Sequence, residues 1–537
     1  MATIYYGPVI NPQSLTDYLA LPKCLILVSA KGDIDRIYED VQSSQLQEIL
    51  AQNGYTDHSA FNFIESREGE FLMPGFIDTH THACQVPNLG VGGEFELLQW
   101  LDNYTFPTEA RFKDAGYAER AYPDVVRRIV NSGTTTCCYY GSLHLEATKI
   151  LAKLVHDRGQ RAFVGKCNMN RNCPPNYIEP SVKESIDTTL ALIKYIEELP
   201  KTSNSQPLVH PILTPRFAIS CTEELLERVS KIALENPKLA IQTHISENPS
   251  EVELTKSLFN ADSYAQVYER YHLLRNNTIL AHGVHLTEDE MVLIAKHGAG
   301  VSHCPTSNFY LSSGMARVGM LLDHGVKVGL GTDVAGGYSP SILSTIQHAS
   351  IASKMLAIQA AQAADKKCNR SRDRHRRDEE ADSEPSEPSE PSDEVESHSH
   401  GHHGHHGHGH KHHHHEDNCD GDKKGPGGFT NERLSIAALL YLATLGGAHV
   451  CCLQDRIGSF AEKKAFDALL VSVRDETGNP GVWGYNTARD LTDGVTAQSA
   501  DRSMVEWLER FLFCGDDRNI RRVIVQGKMI GGQEYQH

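Results

Sequence analysis

Basic residues are scarce in this sequence relative to acidic ones. Its 537 residues include 51 lysines and arginines against 69 aspartates and glutamates, which gives a formal net charge of −18. Nucleic acids and anionic membranes both attract basic surfaces, so this charge argues against either partner. The composition is typical of a soluble acidic enzyme.

A disulfide framework is also missing. The 13 cysteines are scattered without regular spacing and include two adjacent pairs, Cys137-Cys138 and Cys451-Cys452. In a chain of this length such cysteines are expected to be reduced and buried, where they act as small apolar residues.

The sequence shows no segment typical of a secretory leader or of a membrane span. Its first residues lack a basic stretch followed by an apolar one. The most apolar window, 436–453, is interrupted by Thr444, two glycines and His449, and its length is marginal for a span. We therefore predict a buried helix there and a cytoplasmic protein.

Apolar residues are nearly absent from one internal segment, residues 366–428. It contains a basic patch at 370–377, Glu-Pro-Ser repeats at 384–392 and a histidine tract at 398–415. A segment of this composition cannot bury enough surface to offset the entropy of ordering, so it is expected to be a disordered insertion. The histidines could bind zinc, nickel or copper, although incidental metal affinity of a solvated insertion is the favoured interpretation.

Outside that insertion, short β-rich runs alternate with helical patterns. Eight such runs imply parallel pairing and predict an α/β protein with a TIM-like (β/α)8 barrel. The predicted strands are 76–81, 134–140, 161–167, 208–216, 240–244, 278–282, 300–303 and 327–333.

The two ends of the chain have a different pattern, with short strands at 25–28, 467–471 and 522–528. We predict that both termini combine into a small β-sandwich domain. The predicted boundaries are residues 1–72 for the first part of the sandwich, 73–365 for the barrel, 366–428 for the insertion, 429–456 for the last barrel helices and 457–537 for the rest of the sandwich.

Histidines and an aspartate recur where the predicted barrel strands end. Reactive groups of such barrels collect at the carboxyl ends of the strands. His80 and His82 share one face of the first strand, because side chains two residues apart point the same way. The later strand ends carry Arg216 with Phe217, then His244, His282, His303 and Asp333.

This set of side chains predicts a metal site. Three imidazoles and a carboxylate suit Zn²⁺ with an open position for water, although iron could use the same ligands. Zinc lowers the pKa of bound water to about 7, which supplies a nucleophile at neutral pH. Glu247, three residues after His244, could relay protons; it could equally be a carboxylate that favours the start of a helix.

At this point the sequence resembles a known family. Residues 73–82, His244, His282 and Gly331-Thr332-Asp333 resemble the amidohydrolase superfamily. Further segments are similar to guanine deaminases, namely 79–85, 100–107, 133–136, 161–166, 215–217, 244–248, 329–339 and 515–520. The resemblance covers nearly the whole chain except 366–428.

The resemblance implies hydrolytic deamination of guanine to xanthine and ammonia by a homodimer with one Zn²⁺ per subunit. It implies three sets of residues: His80, His82, His244 and Asp333 as metal ligands; Glu247, His282 and Asp333 in catalysis; and His82, Gln85, Arg216, Phe217, His244, Glu247 and Asp333 around the substrate. His282 would support the metal-bound water or act as a weaker ligand. Trp100 is a less certain second wall for the base.

Two alternatives stay open on the sequence. The chain could be another amidohydrolase that acts on a related purine or triazine, with the same metal site and a different pocket. It could instead be a non-enzymatic scaffold or a histidine-rich metal-storage protein.

Overall fold

The computed structural model describes residues 1–57, 59–202, 204–381, 428–429, 432–483 and 500–536. Sixteen strands lie in this part of the chain: β1 Ala2–Pro12, β2 Tyr18–Val28, β3 Ile34–Tyr38, β4 Phe61–Glu65, β5 Glu70–Pro74, β6 Phe76–His82, β7 Thr134–Gly141, β8 Arg161–Asn168, β9 Val209–Pro215, β10 Ala240–Ile245, β11 Thr278–His282, β12 Gly300–His303, β13 Lys327–Leu330, β14 Ala468–Ser472, β15 Ile520–Val525 and β16 Lys528–Gly531.

The α-helices lie between and around these strands. Their bounds are Leu46–Gln52, Leu97–Trp100, Phe106–Ala110, Ala115–Asn131, Leu145–Arg158, Val182–Glu197, Glu223–Glu235, Pro249–Phe259, Tyr264–Arg270, Glu288–His297, Pro305–Tyr310, Val318–Asp323, Ile342–Ala381, Ile436–Tyr441, Gly447–Val450 and Ala500–Cys514. Two π-helical turns, Leu101–Thr105 and Leu442–Gly446, make the helical segments around them continuous.

Strands β6 to β13 pair in chain order as a parallel sheet, and helices cover its outer face. Its two ends meet through backbone hydrogen bonds: Asp333 N–H donates to the His80 carbonyl at 2.8 Å, and His82 N–H donates to the Val334 carbonyl at 3.0 Å. The predicted α/β class and TIM-like barrel are confirmed.

The remaining strands form one sheet in the order β16-β15-β14-β5-β1-β2-β3, with β4 paired to β1. Both ends of the chain contribute to its core; the ring centroids of Tyr5 and Phe466, for example, are 4.6 Å apart. The small β domain built from both termini is therefore confirmed. The domain boundaries stay a prediction, except for the start of the insertion.

Three predicted strands differ from the structure by more than one residue at an end. The predicted strand 25–28 is only the last part of β2, which begins at Tyr18. The eighth barrel strand ends at Leu330 rather than at residue 333, because the backbone of Asp333 has a φ of 47°, which a strand cannot contain. The predicted strand 522–528 is two strands, β15 and β16, joined by a turn in which Gln526 and Gly527 both have positive φ.

The window 436–453 is a buried helical segment packed on the barrel, as expected. No helix within the described residues is long and apolar enough to cross a membrane. The histidine tract and most of the predicted insertion lie outside the described residues. The predicted start of the disordered insertion at residue 366 is wrong, because the helix Ile342–Ala381 continues through 366–381.

Candidate metal centre and pocket

The barrel gathers the predicted strand-end residues at one point. His80 and His82 end β6, His244 lies near the end of β10, and His282 ends β11. Asp333 follows β13 in a loop. All five side chains are at least nine-tenths buried, so they form a polar centre enclosed by the barrel.

Four of these residues place one potential ligand atom each within 4.8 Å of all the others: His80, His244, His282 and Asp333. His82 borders the same centre, because its Nε2 lies 3.1 Å from Nε2 of His244 and 3.4 Å from Oδ1 of Asp333. The structure therefore groups three of the four predicted ligands, His80, His244 and Asp333, with His282, and places the fourth, His82, beside them.

The donor set fits a divalent cation. Among the described residues, Nε2 of His80 and Nε2 of His282 are buried without a hydrogen-bond partner, although Nε2 of His80 lies 3.0 Å from Oδ1 of Asp333. Nε2 of His82 and Nε2 of His244 face each other at hydrogen-bond distance. Lone pairs that converge in this way without donors are what a metal ion satisfies.

The electrostatics agree with metal binding, which requires neutral imidazoles and an ionised carboxylate. Burial, together with neighbouring imidazoles, lowers the pKa of His82 and His244, and burial also lowers the pKa of His80. Burial would raise the pKa of Asp333, but His80 and His282 outweigh it, and the pKa is lowered. A divalent metal is the cofactor this centre is built for.

Neighbouring groups hold two of the imidazole rings by their other nitrogen. Nδ1 of His244 lies 2.5 Å from the carbonyl oxygen of Arg216, and Nδ1 of His282 lies 3.0 Å from Oδ1 of Asn308. Such contacts fix the orientation of a ligand ring and its tautomer. Asn308 was not predicted from the sequence.

Asp78, also missed as a functional residue, ties β6 to the loop that carries Asp333. Its buried Oδ1 accepts hydrogen bonds from the backbone N–H of His80 at 3.1 Å and of Thr332 at 3.0 Å, and its Oδ2 accepts from Thr332 Oγ1 at 2.5 Å. Burial raises its pKa to about 6. Gly331 is required in the same loop, because a Cβ there would lie 2.8 Å from Cβ of His80.

Glu247 lies beside the metal centre, in the short loop between β10 and the helix Pro249–Phe259. Its Oε2 is 3.2 Å from Nε2 of His282. Burial and the charges of Asp333 and Glu251 raise its pKa well above the usual range for a carboxyl. A carboxyl that keeps its proton at higher pH is suited to act as an acid.

A cavity opens next to the metal centre. Its wall contains every residue predicted to contact substrate, together with Trp100. Four side chains that the sequence did not indicate complete the wall: Leu97, Leu101, Leu311 and Glu251. A mostly apolar cavity with a few polar groups is typical of a site for a small planar ligand.

Arg216 and Gln85 share a buried partner that was not predicted, Glu109. The carboxylate of Glu109 accepts hydrogen bonds from Nη1 of Arg216 at 2.7 Å and from Nε2 of Gln85 at 2.8 Å. Glu109 lies two residues beyond the segment 100–107, and no spacing in the sequence marks it. Its partners are distant along the chain.

His303 is placed at a strand end as predicted, but it is not one of the four residues whose ligand atoms come together. Its ring is buried, and burial lowers its pKa to about 3. It is therefore a neutral core histidine next to the centre.

Comparison with known proteins places this geometry in a family. Residues 71–369 match the Amidohydrolase family. The chain is 39% identical over 470 residues to a probable guanine deaminase of Schizosaccharomyces pombe, covering 87% of this chain and 72% of that protein. It is 35% identical over 536 residues to the guanine deaminase of Dictyostelium discoideum, covering 98% of each.

Among solved structures, the chain is similar to a guanine deaminase from C. acetobutylicum with guanine bound in its active site. The TM-score is 0.73 at 28% sequence identity, over 98% of this chain and 100% of that one. The resemblance read from the sequence motifs is confirmed. The chain belongs to the amidohydrolase family, in the group that contains the guanine deaminases.

Proposed function

We propose that this protein hydrolyses guanine to xanthine and ammonia, with Zn²⁺ as its metal. The observation that carries the proposal is the cavity itself. It joins a His/Asp metal centre, a carboxyl with a raised pKa at Glu247 and a cavity bordered by Arg216, Gln85 and Phe217.

The metal would be held by His80, His82, His244 and Asp333, with His282 beside them. A Zn²⁺ ion bound in this way would lower the pKa of a bound water to about 7. Asp333, whose Oδ1 and Oδ2 both border the centre, accepts a proton from the water that adds to C2 of guanine. His282 supports the negative charge that develops there.

Glu247 donates its proton to N3 of the base. It then takes the proton of the new C2 hydroxyl and passes it to the exocyclic amine; the bond from C2 to that nitrogen breaks as the C2 oxygen becomes a carbonyl, and ammonia leaves. The proton taken up by Asp333 returns to Glu247 for the next cycle. The raised pKa of Glu247 supports this role, because the group must carry a proton before the reaction starts. A positioned acid or base of this kind contributes about 10²–10⁴-fold in rate.

The base would lie against Phe217, with Trp100 on the wall of the same cavity. Arg216 donates to O6 or N7, and Gln85 donates to the pyrimidine edge. The Gln85 oxygen already accepts from the backbone N–H of Ala335 at 3.0 Å, so Gln85 serves as a donor. Adenine fits poorly, because its C6 amine replaces the acceptor that Arg216 requires.

An ammonia-release assay with guanine, adenine, cytosine, 8-oxoguanine and chlorinated triazines tests the proposal. Guanine should be the best substrate by a wide margin. Faster turnover of a triazine or of another purine would show that this compound, and not guanine, is the substrate. If metal-loaded protein turned over none of the compounds, the non-enzymatic scaffold would be the better interpretation. We propose further that the protein is a cytoplasmic homodimer. Metal analysis of the same preparation tests whether the ion is Zn²⁺, sedimentation tests whether the protein is a homodimer, and imaging of the protein in cells tests whether it is cytoplasmic.

A further inference from the structure

Glu109 connects two residues of the pocket wall, Arg216 and Gln85, to each other and to Tyr177 behind the wall. It lies in the helix Phe106–Ala110 and is completely buried. Its carboxylate accepts hydrogen bonds from Arg216 after β9, from Gln85 after β6 and from the hydroxyl of Tyr177, which is 2.6 Å from Oε2. A buried carboxylate needs such donors, since an unpaired one is very costly.

The ion pair restricts Arg216. Within the described residues, the hydrogen bonds of the Arg216 guanidinium start from Nη1 alone, to Glu109 and to Sδ of Met169. The guanidinium is planar, so fixing one nitrogen fixes the directions of the others. The ring of Phe106, from the same helix as Glu109, lies 5.2 Å from Cζ of Arg216 and limits its rotation further.

Gln85 is restricted in the same way. Its Oε1 accepts from Ala335 N–H, and one Nε2–H donates to Glu109. The amide carries two N–H groups, so one donor is left for a ligand. Because Glu109 can only accept a hydrogen bond, it also fixes the orientation of the Gln85 amide, with Nε2 toward Glu109.

Glu109 itself is not part of the cavity wall and does not belong to the group of metal ligands. Any effect on a bound base must therefore pass through the side chains that it holds. We infer that Glu109 is a positioning residue that makes the pocket selective for a purine with an oxygen at C6, by fixing the donors of Arg216 and Gln85. This inference rests on the proposed function.

The test compares guanine with 2-aminopurine, which keeps the amine at C2 and lacks the oxygen at C6. A site built to hydrogen-bond a group rejects the analogue without it by up to about 10⁴–10⁵ in kcat/KM. In Glu109→Gln, the ratio of kcat/KM for guanine over 2-aminopurine should fall about tenfold or more, because one amide cannot hold a cation and two neutral donors in the same way. KM for guanine should rise more than kcat falls.

Two further variants separate positioning from general damage. Tyr177→Phe removes one of the three donors and should lower the ratio in the same direction, by less. Glu290→Gln changes another buried carboxylate, which accepts from the backbone N–H of Ala265 and of Thr287, and it should leave the ratio unchanged. Metal content of each variant should equal that of the wild type.

A merely structural role of Glu109 would lower kcat/KM for both purines by the same factor and leave their ratio unchanged, which would overturn the inference. Should Glu109→Gln fail to fold, an unchanged ratio in Tyr177→Phe would overturn it as well. Failure of the proposed function is distinguishable, because wild-type protein would then not prefer guanine at all.

Discussion

Asp78 offers a test of how the fold supports its metal. The structure gives it three hydrogen bonds, two from the backbone N–H groups of His80 and Thr332 and one from the Thr332 hydroxyl. These bonds connect a strand that carries two histidines to the loop that carries Asp333. Substitution of Asp78 should therefore change metal affinity without removing any ligand.

The magnitude follows from those bonds. In Asp78→Asn, Oδ1 can still accept from both N–H groups, and the Thr332 hydroxyl can rotate to accept from the new amide. Only the negative charge is lost. Each of the two backbone hydrogen bonds is then weaker by about 1 kcal/mol, or about 2 kcal/mol in total, because a neutral acceptor replaces a charged one. In Asp78→Ala, two buried N–H groups lose their acceptor, at about 1–3 kcal/mol each.

Metal affinity should fall about 10- to 100-fold in Asp78→Ala and by a smaller factor in Asp78→Asn, as is usual for groups that orient ligands. Competition with a chromophoric zinc chelator measures it. The matched control is Asp467→Asn, which weakens a buried ion pair with Arg161 at the start of β8, the opposite end of the barrel. Affinity within about twofold of wild type in Asp78→Ala would refute the reasoning.

Further predictions concern the reaction and the insertion. Glu247→Gln should keep its metal by elemental analysis and lose about 10²–10⁴-fold in kcat for guanine; loss of metal would mean that Glu247 is a ligand. Phe217→Leu should raise KM for guanine about tenfold with little change in kcat, since stacking on a base is worth about 1–3 kcal/mol; an unchanged KM would exclude stacking. Thorough chelation should abolish ammonia release and Zn²⁺ should restore it, whereas activity that survives chelation would contradict a metal mechanism. Deletion of 366–428 should leave turnover of guanine within about twofold of wild type, because long insertions are tolerated at little cost in stability. Loss of turnover on deletion would show that the insertion is needed for activity.

The barrel was predictable because eight short β-rich runs alternate with helical patterns that separate most of them. The strands of the small domain were harder to predict, and β1, β3, β4 and β5 were missed, because the strands of this domain lie far apart in sequence and pair across the whole chain. The end of the eighth strand was misplaced by three residues. The pattern of apolar residues contains no information on the backbone angle φ. The positive φ of Asp333 cannot be part of a strand, so the strand ends before it.

The predicted metal and substrate residues were recognised because each lies at the end of a recognisable strand or a few residues after it. Residues whose role depends on partners distant in sequence were missed. Glu109 lies on a helix 107 residues before Arg216, and Asp78 is 254 residues from Thr332. Pairings at such distances depend on how the strands close into a barrel, and local pattern in the sequence contains no information on them.

Three buried acids share one task in this fold, since each joins a loop that carries chemistry to another segment. Asp78 holds the loop of Asp333, Glu109 holds Arg216 and Gln85, and Glu251 accepts from the backbone N–H of Glu247 at 2.8 Å. Loops at strand ends are otherwise mobile, and a site must be held to within about 0.5 Å to work. Because each acid supports a different group, their substitutions should separate into different parameters: metal affinity for Asp78, selectivity for the base for Glu109 and kcat for Glu251.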